Sequence, residues 1–148
     1  MIGDAGSPLS RHPSTKLLLG LGLIALASCS IAADKRVGAE AADRFHTLYN
    51  AEDYAGIYGS ADKAFRASTP DTEFVALMSA IHRKLGLYRS STPAGWRASA
   101  TPSGTQLALG FRSQFAAGAA QEEFVYRLAS GNAYLIHYNV NSPLLILK

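Results

Sequence analysis

The 148-residue chain holds one cysteine, one tryptophan and two methionines, and only 17% of it is charged. A single cysteine cannot close a disulfide within the chain, so any core must rest on apolar burial. Lys and Arg occur in no run longer than two. That leaves no clustered basic face of the kind a nucleic-acid groove requires. No histidine pair stands at metal-ligand spacing with an intervening Glu, so no metal site is expected, and nothing in the motifs calls for a cofactor. A Gly-x-Ser-x-Gly elbow is missing. Gly104, Gly110, Gly118 and Gly131 are spaced as turn and bulge residues, not as a phosphate loop. Internal repeats and long low-complexity segments are also missing. The uncharged stretch 17–28 has twelve residues, short of the roughly 20 that span a bilayer core as a helix.

That stretch instead has the length of a signal-peptide apolar region, with Arg11 and Lys16 as its positive flank and Asp4 further out. It closes on Leu26-Ala27-Ser28-Cys29. The four residues resemble the lipobox of bacterial lipoproteins. The resemblance implies that residues 1–28 are a lipoprotein signal peptide, that the Cys29 thiol is lipidated, and that Cys29 becomes the mature N-terminus. The alternatives are an ordinary secretory peptide cut after Ala27 and a retained membrane helix. Acyl chains contribute about 0.8 kcal/mol per buried CH₂, and stable attachment takes more than one chain. Lipoproteins of this type carry two or three, which would hold the domain at a membrane surface. Ser30, where a retention signal would be Asp, implies the outer membrane of a two-membrane cell, facing the periplasm.

Removing residues 1–28 leaves 120 residues, enough for one domain with a single core. Arg11, Lys16 and Asp4 leave with the signal, so 12 basic and 10 acidic residues remain, a net charge of +2. Residues 29–35 read as the lipidated cysteine and a tether, and 36–148 as the folded domain. Val37, Ala41, Phe45, Leu48 and Tyr49 recur at helical spacing over 35–50. A second helical piece begins at Glu52 and stops at Gly59. In the third helix, Thr69 reads as N-cap, Pro70 as first residue, and Asp71 and Glu73 complement the dipole. Phe74, Leu77, Met78, Ile81 and Leu85 form its stripe, and Gly86 ends it.

Beyond Gly86 the period changes to two. Strands are expected at 87–90, 95–99, 106–115, 122–128 and 133–140, with turns at 101–104 and 130–132. On the last strand Tyr134, Ile136, Tyr138 and Val140 would oppose Leu135, His137 and Asn139. Helices followed by an antiparallel meander predict an α+β fold with helices packed on one face of the sheet. The apolar tail 143–148 is expected to add an edge strand or to dock against another subunit.

This order is similar to the nuclear transport factor 2-like fold, in which N-terminal helices lie across a curved antiparallel sheet to form a cone. The text 45–54, then Ile57-Tyr58, Phe65-Arg66, Leu85-Gly86, Glu122-Glu123-Phe124 and Tyr134-Leu135-Ile136, resembles small NTF2-like lipoproteins of bacteria. Those relatives have no agreed activity, so the resemblance carries no catalytic residues with it. A homodimer through the sheet is what the fold implies.

Three histidines follow the signal segment. His46 and His82 sit one residue past core positions and read as packed or solvated side chains. His137 would share a face with Leu135 and Asn139 and could line the inside of the cone. Isomerase and dehydratase relatives on this fold place a proton shuttle there, which makes His137, with Asp43 or Glu40 as carboxylate, the catalytic candidate. Trp96 and Tyr138 stand out from the aromatics as ligand or partner contacts. The resulting expectation is a membrane-anchored envelope protein, held through Cys29, that binds a protein partner or a small apolar ligand. The alternative is an isomerase- or dehydratase-like enzyme.

Overall fold

A computed structural model describes the backbone of residues 21–146 and the side chains from residue 30 onward. Residues 1–20 of the expected signal peptide, and the side chains of 21–29 with the Cys29 thiol among them, lie outside the described residues. The chain divides into two compact units at Ile31/Ala32. The described part of the first is the opening of helix α1 (Leu21–Asn50). No described helix is long and apolar enough to cross a membrane.

Helix α1 runs on to Asn50, so the backbone of 29–35, expected as the lipidated cysteine and a tether, is helical. Three helices follow: α2 (Tyr54–Ser60), α3 (Lys63–Ser68) and α4 (Asp71–Leu85). Strands β1 (Tyr88–Thr101), β2 (Gly104–Phe115), β3 (Ala119–Ala129) and β4 (Asn132–Asn141) then form one antiparallel sheet in sequence order. A single-turn helix, α5 (Pro143–Ile146), ends the described chain. The α+β class expected from the sequence is the class observed.

Local chemistry accounts for the helix boundaries. Asp53 caps α2 by accepting from the Gly56 amide at 2.9 Å, and Asp62 caps α3 by accepting from Ala64 at 2.8 Å. Thr69 does not cap α4 as expected. Its own amide closes α3 onto the Phe65 carbonyl at 3.0 Å, and Pro70 takes the N-cap position of α4. The short helix α3 has no apolar period long enough to announce it in the sequence. Gly86 ends α4 at φ 72°, where a side chain would be strained.

Phe74, Met78, Ile81 and Leu85 are buried along α4, but Leu77 is 55% exposed. The buried four recur at four, three and four residues, and Leu77 sits beside that stripe, turned to solvent. The tail forms α5 rather than an edge strand. Ser142 accepts from the Leu145 amide through its carbonyl and donates from its hydroxyl to the Ala119 carbonyl, which turns the chain back. Leu144 and Leu145 pack on the core, while Ile146 stays exposed.

Bulges shape the sheet. The two strands expected at 87–90 and 95–99 are one strand, β1, with register shifts on either side of Arg89 and Ala94. Pro93 is tolerated because β1 is an edge. On β4, Val125 pairs with His137 and Tyr126 with Leu135, leaving Ile136 as the extra residue of a bulge. The bulge breaks the expected alternation. Leu135 faces the helices, and so do Tyr138 and Val140, which pack against the core. Ser130 and Gly131, at φ 51° and 73°, make the expected tight turn. The inner face therefore carries Leu107, Leu109, Phe124, Tyr126 and Leu135 against Ala41, Ala42, Phe45 and Tyr49 of α1. At Gly38 the helix comes so close that a Cβ would lie 2.5 Å from Leu107 Cδ2.

Candidate functional site

One acidic side chain stands in the inner face of the sheet. Glu122 follows the period of Phe124 and Tyr126 on β3, and its register partners are Phe111 and Val140. Its side chain is completely buried. A buried carboxylate must be met by donors, and three converge on it. The Tyr138 hydroxyl donates to Oε1 at 2.7 Å, the Ser113 hydroxyl donates to Oε2, and His46 Nε2 lies 3.0 Å from the same Oε2.

His46 comes from α1, four residues after Ala42 and three before Tyr49, so it lies on the buried stripe and only 3% of it is exposed. Its ring stacks on Tyr88 at 3.6 Å, nearly parallel. Phe45 and Phe124 meet it edge-on at 5.9 and 5.5 Å. Its Nδ1 is buried with no hydrogen-bond partner among the described residues. Burial, together with the nearby Glu122 charge and its hydrogen bond, pushes the Tyr138 hydroxyl well above the ordinary tyrosine value. Tyr88 is raised as well, mainly by burial. The carboxylate on β3 joins α1 to β2 and β4, and the stacking of His46 on Tyr88 adds β1. In this conformation the carboxylate is sealed from solvent, so its direct effect is to fix the helix on the sheet.

A second polar tie lies at the other end of β3. Asp62 accepts from Arg127 Nε at 2.6 Å, and its amide donates to the Leu135 carbonyl at 2.9 Å. Burial pushes the Asp62 carboxyl up, but the Ala64 amide and the Arg127 guanidinium outweigh it and hold it below the ordinary carboxylate value.

The residues singled out in the sequence are dispersed. His137 is exposed on the sheet face away from the helices, because it pairs with Val125 and the bulge separates it from Leu135. Asp43 and Glu40 are exposed on α1, so His137 and Asp43 share no face and form no site. Tyr138 belongs to the buried cluster. Trp96 is 47% exposed on β1, with the Lys35 ammonium 4.7 Å above its ring. Among the described residues no group of three or more His, Cys, Asp or Glu could hold a metal. His46 and Glu122 were legible in the sequence only as spacing: 42, 46 and 49 on one helix face, and 122, 124 and 126 on one strand face.

The outer face of the sheet is open. A groove of about 510 Å³ crosses all four strands and is lined by Arg97, Arg112, Gln121, Glu123, Asn139 and Asn141 among others. Arg97 and Glu123 pair at 2.8 Å. Arg112, exposed in mid-sheet, has no ion-pair partner among the described residues, and it also lines an adjoining groove of about 690 Å³ with Thr92 and Gln114. No protein-family model and no curated protein matches this chain.

Proposed function

We propose that this chain is a lipid-anchored protein of the bacterial cell envelope, NTF2-like in fold, that captures a protein partner on the outer face of its sheet. The observation that carries the reading is the polar groove centred on Arg112. It is open along its length and lined by side-chain amides, the Arg97–Glu123 pair and a guanidinium that has no ion-pair partner among the described residues, which suits an extended polypeptide bearing a carboxylate better than a small apolar molecule. Cys29 supplies the anchor to the outer membrane, and the domain faces the periplasm. A second copy of the chain is the competing occupant, since the same face would join a homodimer.

The anchor is tested by labelling cells with radioactive palmitate. Label on the wild type and none on Cys29→Ser is expected, and equal labelling removes the lipoprotein reading. The partner face is tested with a photo-crosslinking residue at Gln121 and a control at Leu77 on α4. A crosslink to another protein at 121, abolished by Arg112→Glu and missing at 77, is expected. Crosslinks only between two copies of this chain would replace the partner with the homodimer.

A further inference from the structure

On the helix side of the sheet, α1, α2 and the inner faces of β3 and β4 enclose a separate cavity of about 140 Å³. Phe45, Leu48, Ile57 and Leu135 supply apolar wall. Arg44 and Ser60 are its polar lining apart from Tyr126. Tyr126 is 2% exposed, and its hydroxyl is buried with no hydrogen-bond partner among the described residues. An unmet buried hydroxyl is costly and seeks an acceptor. Arg44 is exposed and carries no ion pair among the described residues. Its charge acts on the Tyr126 hydroxyl, partly offsetting the upward push of burial. The volume is close to that of an apolar cavity of about 150 Å³ that holds benzene, and ordered water there would need two to four polar partners. The wall offers one fixed donor, one serine already donating to the Ile57 carbonyl at 2.9 Å, and one cation.

We propose that this cavity binds a small monocarboxylate with a hydrocarbon body about the size of a benzene ring. The body fills the space between Phe45, Leu48, Ile57 and Leu135. The carboxylate accepts from the Tyr126 hydroxyl and pairs with Arg44, so one donor and one cation read one anionic head. The site lies across the sheet from the Arg112 groove, so either assignment can fail while the other stands.

The test titrates benzoate and hexanoate into the full chain and follows side-chain methyl resonances by NMR, with toluene as the probe lacking the head group. Joint, saturable shifts at Leu48, Ile57 and Leu135 are expected, with a dissociation constant on the order of 1 mM for a ligand of this size. Tyr126→Phe should weaken benzoate about fivefold, the worth of one hydrogen bond. Arg44→Gln should erase the preference for benzoate over toluene. Ala133→Met, which narrows the cavity, should remove binding; if that variant does not fold, Tyr126→Phe decides. Shifts confined to the outer face, or no saturation well above that concentration, overturn the site. Equal binding of toluene and benzoate, unchanged in Tyr126→Phe, overturns the carboxylate assignment and leaves only an apolar void.

Discussion

Replacing Glu122 by Ala removes the acceptor shared by Ser113, Tyr138 and His46. Each buried donor left unmet costs about 1–3 kcal/mol, less whatever neighbouring groups or entering water recover. Three such groups give about 4 kcal/mol, in line with the cost of breaking a buried pair by removing one partner. A domain of this size has a total stability of about 6–15 kcal/mol, so the variant would be near the edge of folding. With a urea slope of about 1.5 kcal/mol per molar, the unfolding midpoint should fall by roughly 2–3 M. Glu122→Gln is the informative companion. Its amide nitrogen can donate to the Ser113 oxygen and to an unprotonated His46 Nε2, while its oxygen still accepts from Tyr138. The His46 proton must then sit on Nδ1, which has no partner among the described residues. The cost should be about 1–2 kcal/mol. Urea unfolding followed by tyrosine fluorescence and by far-ultraviolet circular dichroism measures both. If Glu122→Ala unfolds within 0.5 M of wild type, the cluster does not hold α1 to the sheet. If Glu122→Gln is as damaging as Glu122→Ala, negative charge and not donor satisfaction is what the site requires.

Asp62→Asn should cost about 1–2 kcal/mol at pH 7, through the lost charge on the Arg127 bond. The Asp62 carboxyl is held below its unfolded value of 3.8, so its contribution is complete above that value and is lost as pH falls through the lower folded one. The gap between wild type and Asp62→Asn in acid-unfolding curves should therefore close below pH 3.8; a gap that widens there refutes the sign. Gly38→Leu forces a side chain into Leu107 and Leu109 and should lower stability by about 2 kcal/mol, a loss that calorimetry would detect. Met78→Ala on α4 should cost about 2–4 kcal/mol, whereas Leu77→Ala and His137→Ala stay within about 0.5 kcal/mol. Equal losses at 77 and 78 in parallel urea curves would mean that the buried stripe is misassigned.

Much of the architecture is written in local sequence. The change from period 3.6 to period 2 at Gly86 separates helices from strands. The Ser130-Gly131 turn sets the last hairpin, since both residues need the left-handed region that Gly adopts without cost. Boundaries fared less well where two elements compete for one residue, as at Thr69, because an amide can close one helix while its side chain looks suited to start the next. What the sequence could not show was which side of β4 is inside. A single bulged residue, Ile136, exchanges the faces, and bulges arise from pairing with the neighbouring strand, not from the strand's own alternation. That one shift put His137 in solvent and Tyr138 in the core, undoing the expected catalytic pair. The buried cluster has the same origin. His46 and Glu122 lie 76 residues apart, each on a legible stripe, and a histidine or glutamate on an apolar stripe gives no sign of its partner. The apolar pattern was enough for the class of fold and, away from β4, for most of the buried faces. Only packing α1 across the sheet decided that those two polar residues would meet, because a buried charge is tolerable only where the fold brings donors to it.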